Sequence, residues 1–167
     1  RREHERACGS CRPGRDASSR RLEGLTRTYA AVVDHKRRVL DVMNGMSEGQ
    51  VAPLLALMAE DVIWRWMGVG QWSRTFEGKQ RVIDTLFGGA IDELGAGSRV
   101  EVAHVHADGD SVVVEHAGRN VLPDGRQYNN QYCWVLRFEG DLIWEVREYM
   151  DTQLVTETFG ADESAAT

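Results

Sequence analysis

The hydrophobic period of this chain switches once, from a helical repeat to strict alternation, and the switch dictates the fold class. Downstream of Gly95-Ala96-Gly97, four runs alternate apolar and polar residues: Arg99–Ala107, Ser111–Val121, Gln127–Phe138 and Leu142–Asp151. Alternation marks a strand with one buried face, because successive side chains point to opposite sides. Asp108-Gly109, Pro123-Asp124-Gly125 and Glu139-Gly140-Asp141 separate the runs, and each is a hairpin signal. The pattern predicts a four-strand antiparallel meander. Such a sheet must cover its apolar face, and the upstream half supplies the cover.

From Leu25 to about Met46, apolar residues such as Tyr29, Val32, Leu40 and Met43 recur at helical spacing, and Asn44-Gly45 ends the run. Ser47 and Gln50 read as a capping box that opens a second helix through about Ala59. Asp61–Met67 is rich in β-formers and predicts a short strand, followed by a loop at Gly68–Gln71. Val82, Ile83, Leu86, Phe87, Ile91 and Leu94 predict a third helix over Gly78–Leu94. The order is helix, helix, strand, helix and then the meander. That is an α+β domain with three helices on one face of a curved sheet.

The 167 residues suit one folded domain, expected at residues 25–160, with a disordered basic extension at 1–24 and a fraying tail at 161–167. An apolar share of 42% and a charged share of 28% exclude a fibrous or wholly disordered chain. No run approaches the roughly 20 apolar residues of a membrane helix, and no secretory apolar segment follows the basic start. The expectation is a cytoplasmic protein without a membrane partner. Net charge is −6, but residues 1–24 carry a net +3, so the rest carries −9. A domain this acidic lacks the basic face that nucleic-acid binding requires.

Cys8 and Cys11 form a lone C-x-x-C without the second ligand pair that a structural zinc site needs, and Cys133 reads as a core thiol. His104 and His106 share a strand face, and His116 lies on the neighbouring strand. No carboxylate spacing supports a metal site among them, so neither a metal nor a cofactor is expected.

Several segments carry a resemblance. They are Ala59-Glu60-Asp61-Val62-Ile63-Trp64, Phe76-Glu77-Gly78-Lys79, Pro123–Tyr132, and Trp144-Glu145-Val146-Arg147-Glu148-Tyr149-Met150-Asp151. Over Leu25–Gly160 the chain resembles the SnoaL-like branch of the nuclear transport factor 2 / ketosteroid isomerase superfamily. The resemblance implies a cone-shaped α+β barrel, three helices wrapped on a curved, mostly antiparallel sheet. It also implies an apolar cavity for a hydrophobic small molecule and a homodimer through the outer sheet face. The expected outer residues are His104, His106, Val112, Val114, Cys133 and Val135.

By likeness to polyketide cyclases, Asp151 is the expected general base; the alternative is that it caps the segment Thr152–Phe159. Glu115 is either a second acid in the cavity or a structural ion-pair partner of Arg119. Tyr132 and Asn130 are expected to donate hydrogen bonds to a ligand carbonyl. Arg119 and Tyr149 complete the polar lining. Trp64, Trp66 and Trp134 form either aromatic walls for a ring-shaped ligand or ordinary core. Aligned positions of epoxide hydrolases and steroid isomerases hold different residues here, since the hydrolase arginine falls at Glu115 and the isomerase base near Trp66. The expected activity is therefore cofactor-independent cyclisation, isomerisation or dehydration of a hydrophobic carbonyl compound. The alternative is a non-catalytic ligand-binding or dimerisation module of the same fold.

Overall fold

The computed structural model describes residues 34–87 and 99–160. Within them the chain opens on helix α1, residues 34–47. The expected start of this helix at Leu25 and the extension at 1–24 lie outside the described residues. Val39, Val42 and Met43 follow helical spacing and are each at most 4% exposed, so this face packs on the sheet. Ser47 does not open a second helix. It ends α1, and its hydroxyl reaches the carbonyl oxygens of Met43 and Val100. Helix α2, Ala52–Leu57, starts instead at the proline in its first turn, whose fixed φ suits that position.

Strand β1, Met58–Trp66, begins three residues earlier than expected. Strand β2, Arg74–Glu77, has no counterpart in the sequence pattern, because four residues with one buried side chain leave little alternation to see. Gly78, at φ 86°, turns the chain into helix α3, Lys79–Val82, which continues as a π-helical turn over Ile83–Phe87. The rest of the third helix, to Leu94, lies outside the described residues. The meander follows as β3 (Arg99–Asp108), β4 (Ser111–Val121), β6 (Gln131–Glu139) and β7 (Leu142–Met150), with the two-residue β5 (Gln127–Tyr128) ahead of β6. Helix α4, Thr152–Phe159, closes the described chain.

The strands run in the order β2-β1-β7-β6-β4-β3, with β5 paired to β4 beside this path. Among the described strands only β1 and β7 pair in parallel; the other pairings are antiparallel. The sheet curls into the half-barrel of the cone fold, with helices on its inner side. Trp64, Leu54, Val112, Val114, Leu136 and Val146, each at most 1% exposed, belong to one core cluster between sheet and helices.

Two register features decide which side chains face inward. On β4 the even-numbered residues are buried and the odd-numbered ones are not. Val112 and Val114 are therefore core residues, against the expectation that they lie on the outer face. On β7 a bulge shifts the pairing between Arg137 and Phe138, so that Phe138 faces Ile143 but Arg137 faces Glu145. The extra residue, Trp144, reverses the parity of the strand. Ile143 points inward before it, and Val146 and Glu148 point inward after it. Arg147, Tyr149 and Asp151 thereby fall on the other side.

Candidate functional site

The inner face of the sheet and the helices enclose a cavity of about 220 Å³. Trp64 and Trp66 enter it from β1, Tyr132 and Trp134 from β6, Glu148 from β7, and His116 and Asn120 from β4. Alternation along each strand puts these residues on one face, and direct cross-strand pairs keep them together: His116 lies opposite Tyr132, and Trp134 opposite Glu148. Gly118, between His116 and Asn120, keeps the wall open. A Cβ there would come within 2.9 Å of Asn120 Nδ2 and 3.3 Å of a Tyr132 ring carbon.

Aromatic rings form most of the lining. Trp64 meets Trp134 edge-on at 5.0 Å, and Trp66 meets Phe76 edge-on at 5.1 Å. These are the favoured edge-to-face geometries. His116 stacks on Tyr132 at 5.0 Å and stands edge-on to Trp134 at 4.7 Å.

Glu148 is the ionisable centre of this apolar space. Its Oε2 accepts hydrogen bonds from Trp64 Nε1 at 2.7 Å and Trp66 Nε1 at 2.8 Å. Its Oε1 accepts none from the described residues. The Trp134 indole N–H also acts on the carboxylate, although it completes no hydrogen bond of normal geometry. Burial raises the Glu148 pKa because the charged form loses water, and the indole donors offset this only in part. The carboxyl thus holds its proton to higher pH than an exposed glutamate does.

His116 is 5% exposed, and burial lowers its pKa to about 4. The ring is neutral near pH 7, and neither ring nitrogen has a hydrogen-bond partner among the described residues. Asn120 donates to Tyr128 O at 3.1 Å, while its Oδ1 has no partner among the described residues. The Tyr132 hydroxyl is 3.5 Å from that of Tyr128, and burial raises both phenol pKa values.

The structure therefore brings together four of the residues singled out in the sequence: Tyr132, Trp64, Trp66 and Trp134. It places the other five elsewhere. Asp151 is exposed and caps α4, its Oδ1 accepting from the backbone N–H groups of Gln153 at 3.0 Å and Leu154 at 3.1 Å. Asn130 is fully buried but structural. It bonds Tyr128 Oη at 2.9 Å and both backbone groups of Asp151, latching the β5–β6 turn to the end of β7. Glu115, Arg119 and Tyr149 lie on the outer face, around an open depression of about 700 Å³. Arg119 pairs there with Glu101 at 2.8 Å, not with Glu115. The reason is register, since Glu115 lies opposite Cys133 and hence on the face away from Tyr132.

Sequence reasoning missed Glu148, His116 and Asn120. On β4 the signal was present, because Val112 and Val114 have the same parity as His116 and Asn120. The histidines also separate: His104 and His106 are exposed while His116 turns inward. Among the described residues, no three of His, Cys, Asp and Glu are grouped to hold a metal ion. No described helix is long and apolar enough to cross a membrane.

Comparison with known proteins agrees with the fold. A family model described as SnoaL-like domain matches residues 37–146. Bal32a, from a soil-derived mobile gene cassette, superposes with a TM-score of 0.66 at 18% identity, over 79% of this chain and 99% of that one. A putative SnoaL-like polyketide cyclase from Jannaschia sp. CCS1 gives 0.61 at 18% identity, over 80% and 94% of the two chains. TerC, co-crystallised with polyporic acid, gives 0.61 at 18% identity, over 72% and 94%. No curated protein matches the sequence.

Proposed function

Because the chain belongs to the SnoaL-like domain family, we propose that its cavity performs acid–base chemistry on a small hydrophobic carbonyl compound, with Glu148 as the proton-transfer group. The observation that carries this reading is a buried carboxylate whose Oε2 is tied by two indole N–H groups while Oε1 takes no bond from the described residues. A general acid–base works best with a pKa near the working pH, and burial moves Glu148 in that direction. The two indole bonds fix its orientation. Cyclisation, isomerisation and dehydration each begin with removal of a proton beside a carbonyl, so one positioned carboxylate serves all three. Asp151 has the competing role of helix cap, and Glu148 replaces it in this proposal. No cofactor enters the scheme.

The test is proton exchange beside the carbonyl of small cyclic and aromatic ketones in D2O, followed by NMR. Wild-type protein should accelerate exchange for at least one ketone, and Glu148→Gln should not. Equal exchange by the two proteins overturns the assignment. The non-catalytic alternative rests on the aromatic lining alone, and it gains if wild-type protein binds such ketones without exchanging them. We further propose a homodimer through the outer sheet face, where Cys133 and Val135 on β6 are half-buried and His104 and His106 on β3 are exposed.

A further inference from the structure

The polar groups bordering the cavity fall into two sets. Glu148 lies on β7 and His116 on β4, with β6 between them. Two strand spacings put their backbones about 10 Å apart. His116 lies opposite Tyr132, and Tyr132 opposite Met150, so His116 is also displaced along the sheet from Glu148.

The His116 set is unfinished. Two ring nitrogens and Asn120 Oδ1 are buried without partners among the described residues. A buried polar atom left unpaired is costly, and these three lie along one strand at the cavity wall, so a ligand group that pairs with them gains affinity. A neutral imidazole offers one N–H donor and one acceptor nitrogen, and Asn120 Oδ1 adds a second acceptor. A hydroxyl can accept from the ring N–H or donate to the bare ring nitrogen, so it pairs with the imidazole in either tautomer.

Charge narrows the choice further. Among the described residues no Lys or Arg borders the cavity, and Glu148 is its one acid. A carboxylate or phosphate ligand would enter without a counter-ion and beside a carboxyl group, which opposes binding. The volume of about 220 Å³ exceeds the roughly 150 Å³ that holds a benzene ring. It suits one substituted ring.

We propose that the cavity selects an uncharged ring compound bearing a hydroxyl group, and that His116, supported by Asn120, binds that hydroxyl at the wall remote from Glu148. This specificity rests on the reading of the cavity as a ligand site, but not on Glu148 performing chemistry. Gly118 belongs to the same device, since any side chain there would crowd Asn120 and Tyr132.

The test compares p-cresol, toluene and p-toluate as probes, with binding read by intrinsic tryptophan fluorescence and calorimetry at pH 8. Wild-type protein should bind p-cresol about 10-fold more tightly than toluene, the factor expected of one buried hydrogen bond. It should bind p-toluate more weakly than either. His116→Phe should bring the p-cresol-to-toluene ratio close to one while leaving toluene affinity within about 3-fold, the non-polar ring being kept.

Ring ¹⁵N spectra of wild-type protein give a measurement independent of any variant. The His116 resonances should move with p-cresol and stay with toluene. The proposal is overturned if wild-type protein shows no preference or binds neither neutral probe, if His116→Phe keeps the preference, or if the His116 ring does not respond. It is also overturned if the preference disappears in Glu148→Gln but not in His116→Phe, which would seat the hydroxyl on Glu148. Loss of ketone exchange chemistry with the preference intact would sink only the acid–base reading.

Discussion

Trp64 Nε1 donates a hydrogen bond of 2.7 Å to Glu148 Oε2, joining the parallel neighbours β1 and β7 across the floor of the cavity. The bond couples the fold to the site. Trp64 is 1% exposed and belongs to the core, while Glu148 is the ionisable group that the core holds in place. A substitution at either end should therefore register in stability and in chemistry together.

Glu148→Gln keeps the shape and the acceptor oxygen for the indoles but cannot exchange a proton. Turnover should fall about 10²- to 10⁴-fold, the usual size of a general acid–base contribution. The stability effect has a defined sign. The folded state raises the Glu148 pKa, so it binds the proton more tightly than the unfolded chain does. Wild-type stability therefore falls as pH rises from the ordinary glutamate value through the raised one. The amide of the variant does not titrate, so Glu148→Gln should gain on wild type between pH 5 and pH 8. Urea denaturation at both values checks this, and a pH-independent difference would show that Glu148 ionises as easily inside as outside.

Trp64→Phe removes one donor and keeps most of the packing. It should cost about 1–3 kcal/mol, the range for a lost hydrogen bond to a charged or buried acceptor. The cost should be larger at pH 8 than at pH 5, because the bond is strongest when the carboxyl is ionised. It should also raise the Glu148 pKa further, moving the acid limb of any pH–rate profile upward. A profile that does not move would separate Trp64 from the proton-transfer group.

The sequence pattern made the fold readable and the site only half readable. Hairpin signals at Asp108-Gly109 and Glu139-Gly140-Asp141 lie where the chain turns between β3 and β4 and between β6 and β7. Tyr132 and Trp134 could be placed because β6 alternates without interruption from Tyr132 to Phe138. Glu148 could not, because the extra residue in β7 inverts every side chain after it, and a bulge has no reliable mark in a single sequence. Ser47 misled for a different reason. Its spacing to Gln50 mimics a capping box, yet the hydroxyl finds carbonyl acceptors in α1 and β3.

Asp151→Ala tests the capping role directly. The carboxylate satisfies two backbone N–H groups at the start of α4, and loss of such a cap costs about 1 kcal/mol. Asp151→Asn should cost less, since an asparagine oxygen caps nearly as well. Neither variant should alter ligand affinity, because Asp151 does not border the cavity. Thermal melts and fluorescence titration read the two effects separately, and loss of binding in a folded Asp151→Asn protein would return this residue to the site.

The dimer proposal predicts a particle of twice the chain mass by light scattering at micromolar concentration. Val135, half-buried on the outer face of β6, pairs with Val113 and Arg147 across the sheet. Val135→Asp would put a charge into a buried interface and should dissociate the dimer while each subunit keeps its helical and strand content by circular dichroism. A wild-type monomer at that concentration would remove this proposal.

His116 makes acid stability a readout of cavity polarity. Burial lowers its pKa from 6.5 to about 4, so folding favours the neutral ring. The stabilisation is complete above pH 6.5 and is lost as pH falls through the window down to about 4. A shift of this size is worth about 3 kcal/mol. His35, also buried, donates from Nε2 to Gly140 O and stacks on Phe138, so it lies in a different environment. His116→Phe should therefore remove the part of the stability change between pH 6.5 and 4 that the ring contributes, while Glu148, with its raised pKa, acts in the opposite direction in both proteins. Chemical denaturation across that window measures it. A variant with the same acid sensitivity as wild type would mean that the ring ionises without leaving the folded state.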